Sequence, residues 1–535
     1  MNCPFASSRT TPPATPPPSH FRNNATIPTL KDYDVDPIYG FLPANPMPIR
    51  RLPAAYEPWE NILDNLNALL LAGSLRKTVE NLPLLSTDLL ANDREWQRAY
   101  LVLSFIGQAY VWGHSQQASE VLPVTIARPW NSCSERLGLL PVITYASVTL
   151  YNYRLIDPSG PLKLDNMAVM HTFTGSDEAW FYLVSIASEA EGAPALSAIL
   201  SAMHAVKAQD LEALNASLTT IGNSIEAITK VMLRMYERND PYVFYNRVRH
   251  FLTGWEDSND LPNGVYYEGV DSVPGAPAKC PISGFSAAKP STESLSQYGS
   301  KPLQSGAFGK YAGASTGQSS MMHCLDVALG IEHRPTRTGR CTAANFNLEE
   351  AKAHLAAASS SSATSTKSPT GCPVSSSGST GASAVNHILE MRKYMPGPHR
   401  AFIEALERGP SIRAFVENLT NNPALDANGN SVHDPALAAE TTRLYNRCVS
   451  EMRGFRDRHL QIVAAYIVTQ ARKKRDAEAE APQEDPATIS IPSPVTEKPK
   501  MREVLQARGT GGTDLIPFLK QSRQETIEAL VTPQV

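Results

Sequence analysis

Cysteine is scarce in this sequence of 535 residues, and its few copies follow no ligand pattern. The seven cysteines are odd in number, lie far apart and include no CxxC pair. This spacing argues against a zinc site, an iron–sulfur cluster and a disulfide framework. A reducing compartment is the simplest interpretation, so we expect the protein to be cytoplasmic.

Long apolar runs and an excess of one charge are also missing. No stretch approaches the roughly 18 apolar residues of a membrane span, and the N-terminal segment has no apolar core of the kind that a secretory signal needs. The 48 basic and 52 acidic residues leave a net charge of −4, so no global field attracts nucleic acid or an anionic membrane. We therefore expect neither a membrane nor a nucleic acid as a partner.

Apolar residues recur every three to four positions along most of the chain, and alternation with a period of two is almost absent. This pattern predicts an all-α fold without a substantial sheet. A polar stretch with two prolines and a glycine separates a smaller helical region from a larger one. Two further segments have compositions typical of disordered insertions. The predicted organisation is a disordered tail at residues 1–27, a small helical domain at 28–153, a linker at 154–166, and a large helical domain at 167–535 with insertions at 356–384 and 473–500.

One histidine, His459, falls on an otherwise apolar helical stripe. Burying an imidazole there costs free energy unless both ring nitrogens find partners. Taken alone, a histidine on a core face is more often a hydrogen-bonded core residue than a metal ligand. The stripe comprises Leu444, Cys448, Met452, Phe455, His459, Ile462 and Tyr466.

One arginine, Arg249, falls on a predicted apolar helical face with Tyr245, Val248 and Leu252. A guanidinium stays protonated, so a buried one needs an anion. Two interpretations are about equally open. The side chain either reaches solvent or pairs with a structural carboxylate, or it clamps a substrate carboxylate, for which its planar fork is well suited.

Two segments are rich in small residues. Residues 312–320, AGASTGQSS, are typical of a loop with a helix cap, although small side chains would also let the backbone lie against a flat ligand. On the helix that follows, Asp326 could orient a ligating histidine. Residues 509–514, GTGGTD, lack the GK[ST] ending of a phosphate-binding loop, and a lid is the better interpretation. No carboxylate stands out as a general acid or base.

Five segments of the chain resemble the indoleamine 2,3-dioxygenase family of haem enzymes, which open the indole ring of tryptophan. The segments also follow one another in the same order as in that family. The resemblance covers about residues 33–530 apart from the two insertions, and the long linkers and Pro-rich tail look like those of fungal members. The segments are RHFLTGW (249–255), AGASTGQSS (312–320), MRKYMPGPHRAFIEAL (391–406), RDRHLQIVAAYI (456–467) and GTGGTDL (509–515).

The resemblance implies an all-α fold in which a small N-terminal helical domain and a large C-terminal helical domain enclose one haem b. His459 matches the iron ligand of the family, which would explain an imidazole in an apolar stripe. Asp326 and Trp255 match residues near the same side of the haem. Besides the iron ligand, the resemblance implies six contacts with the cofactor, from Ser315, Thr316, Tyr245, Val148, Asp326 and Trp255.

The resemblance also implies how substrate is held. Arg249 matches a clamp on the substrate carboxylate, and Phe244 matches an aromatic residue that packs on the indole. The remaining predicted substrate contacts are Tyr145, Phe181 and Ser185 around the distal pocket, and Thr510 and Gly511 in a closing loop.

Two positions depart from the well-studied members. Tyr245 stands where those members have phenylalanine, and Thr316 ends a run of residues that are smaller there. Each departure adds a hydroxyl near an apolar pocket, where an unsatisfied polar group costs roughly 1–3 kcal/mol.

The implied activity is cleavage of the C2–C3 bond of L-tryptophan by O₂ to give N-formylkynurenine, in the kynurenine pathway, by a monomer that needs an external reductant. One alternative is a protein of the same fold that binds haem and oxygen with little or no catalysis. Another is a helical interaction protein without cofactor, in which His459 and Arg249 are satisfied core residues. A visible spectrum after addition of haem distinguishes the interaction protein without cofactor from the two haem proteins. Turnover of tryptophan then distinguishes the dioxygenase from the haem protein with little or no catalysis.

Overall fold

The computed structural model describes residues 26–113, 116–256, 258–274, 304–335, 386–424, 431–480, 509–510 and 515–533. Within these ranges the fold is predominantly helical, which confirms the predicted all-α class. Three predicted features lie outside the described residues: nearly all of the N-terminal tail, the insertion at 356–384, and residues 481–500 of the second insertion.

The N-terminal helices are centred on α4. This helix begins after Asn92, whose side chain accepts a hydrogen bond from the Glu95 amide at 3.1 Å, while the Glu95 carboxylate accepts one from the Ala91 amide at 2.8 Å. Such reciprocal capping fixes the first turn. Almost every side chain of α4 is buried, and α5 packs along it. The helices here are α1 (Glu57–Asp64), α2 (Leu66–Leu71), α3 (Leu75–Glu80), α4 (Asp93–Trp112) and α5 (Val124–Leu137).

Longer helices dominate the rest of the chain. The helix α6 packs along α7, α15 packs along α7, and α17 packs on α15. The helices are α6 (Ser176–Ala208), α7 (Leu211–Leu233), α8 (Met235–Arg238), α9 (Pro241–Val243), α10 (Arg249–Leu252), α11 (Ser320–Ala328), α12 (His387–Met391), α13 (Gly397–Glu407), α14 (Ile412–Asn421), α15 (Pro435–Val463), α16 (Thr469–Glu480) and α17 (Leu515–Ile527).

In the described part of the chain, three short π-helical turns interrupt the α-helical pattern. In a π-turn the hydrogen bonds run from residue i to i+5, so each turn accommodates one extra residue, and such turns occur frequently at functional sites. The first π-turn spans Ala146–Leu150, the second Phe244–Val248 and the third Ala464–Val468.

Among the described residues, α6 is long and apolar enough to cross a membrane. However, 67% of its most apolar stretch is buried inside the fold. A mostly buried helix of this kind is what the core of a soluble protein also contains, so the observation is weak support for a membrane span.

Two small sheets accompany the helices. In the first, β1 (Val121–Leu122) runs parallel to β4 (Val265–Glu268), which pairs antiparallel with β5 (Gly306–Gly309). In the second, β2 (Tyr153–Leu155) and β3 (Met167–Val169) form a hairpin in which Arg154 faces Ala168. The predicted linker at 154–166 therefore forms the end of a strand, a hairpin connection and a short 3-10 turn, with Leu155 and Leu164 buried.

The buried apolar side chains form one continuous cluster from Val35 to Val531, on both sides of residues 154–166. The division into domains at 28–153 and 167–535 stays a prediction. At the other end, α16 extends through residue 480, so residues 473–480 are helical rather than part of a loop. Lys, Arg and Ala, which occur in this segment, have high helix propensities.

Glu60 and Arg98 form a buried ion pair between α1 and α4. Glu60 is 0% exposed, and its carboxylate accepts hydrogen bonds from Arg98 Nη2 at 2.6 Å and from the Leu52 amide at 2.8 Å. Arg98 Nη1 also donates to Nε2 of His171 at 2.8 Å. Burial and the nearby guanidinium lower the pKa of His171 to about 3, so the ring is neutral and can accept that bond.

We expect Glu60→Ala to lower the free energy of unfolding by about 3–5 kcal/mol, because it leaves the Arg98 charge buried without its partner. Urea unfolding measures this change. Glu57→Ala, on the same helix, is the matched control. Glu57 pairs with Arg51 at the surface, so its loss should leave the unfolding midpoint nearly unchanged. Equal effects of the two substitutions would contradict the assignment.

Candidate functional site

A cavity of about 260 Å³ lies between α6, α11 and α15, with α10, α17 and the three π-turns along its border. Its walls are mostly apolar, with a few polar groups at separate points, as is typical of a cofactor or ligand site. Most of the predicted site residues face this one cavity. Those that line it are Tyr145, Val148, Phe181, Ser185, Phe244, Arg249, Ser315, Thr316, Asp326, His459 and Thr510.

Two of the described site residues that the sequence predicted, Trp255 and Tyr245, do not line this wall. Trp255 is fully buried away from it, 6.5 Å from the ring of Tyr267. Tyr245 lies behind Arg249, with the guanidinium carbon 5.7 Å from the centre of its ring. A direct cofactor contact is therefore not supported for Trp255 or Tyr245, and each would act by supporting a neighbour. Gly511 lies outside the described residues.

The second π-turn explains why Tyr245 is displaced. α-Helical spacing predicts that Tyr245 and Arg249, four residues apart, share a face. In a π-turn the aligned positions are five apart, and Phe244 and Arg249 both line the cavity instead. The hydroxyl of Tyr245, expected near the ring pocket from the sequence, therefore does not enter the cavity.

Aromatic rings form one end of the cavity. Phe244 lies 4.8 Å from Phe181, ring centre to ring centre, and 5.8 Å from Tyr466 in a T-shaped contact. The Tyr466 hydroxyl donates to the carbonyl of Asn239 at 2.7 Å. The second and third π-turns are thus held together beside Arg249, and their rings provide a flat apolar surface that suits an aromatic ligand.

Arg249 contributes a positive charge to this end of the cavity. Its side chain is half-buried, and burial lowers the pKa of the guanidinium, although an arginine remains protonated at neutral pH. A cation on a largely apolar wall favours an anionic group on the ligand, and its planar fork suits a carboxylate.

His459, on α15, supplies a neutral imidazole to the wall. Burial, together with Arg456, lowers its pKa to about 4, so the ring is neutral near pH 7 and one of its two nitrogens has a free lone pair for a metal. The ring of Phe455 lies parallel to it at 6.2 Å. Within the described part of the chain, no hydrogen bond is made by the His459 ring.

The donor set at His459 fits a haem. No group of three or more His, Cys, Asp or Glu side chains that could hold a metal occurs among the described residues. A metal at His459 must therefore bring most of its ligands with it, as a porphyrin does. Ile462 and Val463, beside His459 on the cavity wall, offer apolar surface to such a ring.

Asp326 does not orient His459, contrary to the expectation from the sequence. Its two carboxylate oxygens accept hydrogen bonds from Arg456 Nη2 at 2.7 and 2.8 Å, and His333 Nε2 lies 3.0 Å from Oδ2. Burial acts to raise the pKa of Asp326, but Arg456 and His333 outweigh it and lower the pKa to about 2. Asp326 therefore fixes Arg456, which lies one turn before His459 on the same helix.

The two segments rich in small residues meet at the cavity. Thr510 donates its hydroxyl to the Ala314 carbonyl at 2.7 Å, and the Gly313 amide donates to the Thr510 carbonyl at 2.9 Å. A Cβ atom on Gly313 would lie 2.0 Å from the Leu252 carbonyl oxygen. Gly313 is therefore required for packing of one backbone segment on another, not for contact with a flat ligand.

Residues 313–317, GASTG, match the G-x-S-x-G pattern of hydrolase nucleophiles. In the structure, the Ser315 hydroxyl accepts a hydrogen bond from the Gly317 amide at 3.2 Å and caps a 3-10 turn. No histidine in the described ranges hydrogen bonds to Ser315. The segment is a capped turn at the cavity edge.

Sequence reasoning missed one buried acid, Glu189, on α6. Its Oε1 accepts hydrogen bonds from the Tyr145 hydroxyl at 3.0 Å and the Ser319 hydroxyl at 2.6 Å, and the residue borders the cavity. Burial raises the pKa of Glu189 to about 7. The available signal was a pair of glutamates, Glu189 and Glu191, in a helical segment otherwise made of small and apolar residues, SIASEAEGAPAL, at residues 185–196.

Comparison with known proteins gives a consistent result. The profile of a family described as "Indoleamine 2,3-dioxygenase" matches residues 29–529. The chain is 32% identical over 505 residues to indoleamine 2,3-dioxygenase 1 of Mus musculus, covering 94% of this chain and 96% of that protein. It is 31% identical over 525 residues to indoleamine 2,3-dioxygenase of Saccharomyces cerevisiae, with 94% and 93% covered. It is also 30% identical over 505 residues to a 6-hydroxytryptophan 2,3-dioxygenase of Fusarium equiseti, with 94% and 98% covered.

The network at Asp326 predicts how stability depends on pH. Burial acts to lower the pKa of His333, but Asp326 and Glu525 outweigh it and raise the pKa to about 9. This folded value lies above the unfolded value of about 6.5. The stabilisation by His333 is therefore complete below about pH 6.5 and is lost as pH rises through about 9.

We expect His333→Gln to remove this dependence. The difference in unfolding free energy between wild type and variant should be on the order of 3 kcal/mol near pH 6 and shrink towards zero above pH 9. Urea unfolding at a series of pH values measures it. A difference that stays constant across this range would show that His333 is not protonated in the folded protein.

Proposed function

The chain belongs to the indoleamine 2,3-dioxygenase family, and from that premise we propose that it binds one haem b in the cavity at His459 and cleaves the indole C2–C3 bond of L-tryptophan with O₂. The family consists of haem dioxygenases, so the chain is an oxidoreductase. The proposed product is N-formylkynurenine, in which both oxygen atoms of O₂ are retained. An external reductant would be needed to bring the iron to the ferrous state.

The observation that carries the proposal is that a neutral imidazole, His459, and a cationic clamp, Arg249, line one largely apolar cavity. A haem bound there would supply the binding and activation of O₂. His459 would hold it, with Ser315 and Thr316 at its edge. The chemistry of dioxygen belongs to the cofactor, and the protein contributes binding, orientation and exclusion of water.

Substrate orientation follows from the aromatic end of the cavity. The indole would pack on Phe244 and Phe181, and the carboxylate would reach Arg249. Tyr145, Val148 and Ser185 would border the ring on the distal side. Holding the reacting carbon atoms in one orientation can contribute several kcal/mol to lowering the barrier.

Closure over the amino-acid end of the substrate would come from Thr510. Thr510 forms hydrogen bonds with the backbone of Gly313 and Ala314 at the cavity edge. We also propose that the protein is a monomer, that it is cytoplasmic, and that its chain is divided into two domains.

The alternative function is that of a haem protein of the same fold with little catalysis. Such a protein would bind haem and fail to turn over tryptophan. An assay of tryptophan consumption in the presence of a reductant decides between the two functions.

We expect His459→Ala to abolish stable haem retention while the helix content is kept, because the substitution removes the iron ligand but no core packing of comparable size. The Soret band after gel filtration and the far-ultraviolet circular dichroism measure these two properties.

His387→Ala is the control, since His387 also lines the cavity. His323, a third imidazole on the wall, has both nitrogens occupied, by the Gly317 carbonyl at 3.0 Å and Arg392 Nε at 3.2 Å. Retention of a normal haem spectrum by His459→Ala, with loss in His387→Ala, would reassign the ligand.

Arg249→Ala should leave haem binding intact and lower kcat/KM for tryptophan by roughly 10- to 150-fold, which corresponds to the loss of a charge-assisted hydrogen bond of about 1.5–3 kcal/mol. Steady-state kinetics with tryptophan and with an indole that lacks the carboxylate measure the effect. The second compound should lose much less, because it does not use the clamp.

Arg247→Ala is the matched control, because Arg247 is exposed two residues earlier in the same segment. If Arg249→Ala expels the haem, or lowers the turnover of both compounds equally, Arg249 stabilises the fold and is not a substrate clamp.

A further inference from the structure

Glu189 is a buried carboxyl group whose charge is poorly compensated. It is 2% exposed, and one of its oxygens, Oε1, receives both of its hydrogen bonds, from the neutral hydroxyls of Tyr145 and Ser319. The other oxygen, Oε2, is buried without a hydrogen-bond partner. No arginine, lysine or histidine in the described residues forms an ion pair with it.

This arrangement is unusual for a carboxylate. A buried carboxylate is normally paired with a cation or accepts several hydrogen bonds, because desolvation of the charge is costly. Two neutral donors on one oxygen compensate only part of that cost. The protonated and ionised forms of Glu189 are therefore close in free energy, in agreement with a pKa that burial raises to about 7.

Glu189 is also the group that titrates in this region. Among the described residues, the titratable groups that interact with it are Tyr145, from the segment before the first π-turn, and Cys324, from α11. Burial raises the pKa of both well above their usual values, so both stay neutral near pH 7. No charged side chain from α7 or from the other helices packed on α6 acts on it within the described part of the chain.

We propose that Glu189 is a redox-linked proton site of the cavity. When an external one-electron donor reduces the iron of a bound haem, the Glu189 carboxylate takes up one proton from solvent, and it releases that proton when the iron is oxidised again. One electron and one proton enter together, so the net charge of the buried region does not change. The inference rests on the proposed function, since it requires haem in this cavity.

The physical reason is electrostatic. An electron added to a low-dielectric cavity makes every nearby negative charge less favourable, and a carboxyl group on the wall responds by binding a proton. The response is large only for a group whose pKa lies close to the working pH, because reduction can then carry it from mostly ionised to mostly protonated. Glu189 meets this condition, whereas Asp326, held as a carboxylate by Arg456, does not.

Spectroelectrochemical titration of the haem-loaded protein between about pH 6 and 8 tests the proposal. The midpoint potential of wild type should fall as pH rises, towards 59 mV per pH unit if coupling is complete, because that is the value of a tenfold change for one electron. Glu189→Gln cannot exchange the proton, so its potential should depend much less on pH. Glu191→Gln, on the same helix, is the control: Glu191 pairs with Lys163 at 2.5 Å near the surface, and the variant should behave as wild type.

Two further measurements cover a Glu189→Gln variant that folds poorly. Ser319→Ala removes one of the two donors to the carboxylate, so the pH range of the slope should move upward. Infrared difference spectra should show the carbonyl band of a protonated carboxyl group on reduction of wild type.

Equal slopes in wild type and Glu189→Gln, an unchanged pH range in Ser319→Ala, or a reduced wild-type protein without that carbonyl band would overturn the inference and leave the proposed function standing. A wild-type protein that takes up no haem, seen as a missing Soret band, would overturn both.

Discussion

The buried ion pair between Arg456 and Asp326, in which one guanidinium nitrogen donates to both carboxylate oxygens, joins the helices on which the cavity depends. Arg456 lies one turn before His459 on α15, and Asp326 belongs to α11. Arg456 Nη1 also donates to the Ser522 carbonyl of α17 at 3.1 Å and contacts Thr526. Because these charges are buried, losing one partner leaves the other uncompensated. The helical turn that precedes His459 and the position of α17 are therefore fixed by the same group of contacts.

The helical part of the fold was predictable because its cause is local. The periodicity of α4, α6 and α15 follows directly from burial of one helical face, and the caps at Asn92 and Asp434 are visible in the sequence. The strands could not be predicted in the same way. All four residues of β4 are buried, so the alternation that indicates a strand is absent. The extent of α16 was misjudged because its charged residues suit both a helix and a solvated loop.

The site was predictable only where a short motif carries it. His459, Arg249 and Thr510 lie in such motifs, and the structure places all three on the cavity wall. Tyr245 was misplaced because helical spacing assumes 3.6 residues per turn, which the second π-turn breaks. Glu189 was missed because Glu191, two residues away, has the same chemistry, and only the packing of α6 on α11 and on the first π-turn decides which of the two is buried.

The three π-turns also constrain how this protein can change over time. Each turn contains one residue more than an α-helix of the same length would need, so deletion of a single residue would convert it into regular helix. Regular α-helix is the more stable local form, so selection for stability alone would favour the deletion. The same deletion would leave the flanking segments in phase but would remove the five-residue spacing that places both Phe244 and Arg249 on the cavity wall. Single-residue deletions at these turns are therefore changes that selection for folding would tolerate and selection for activity would remove.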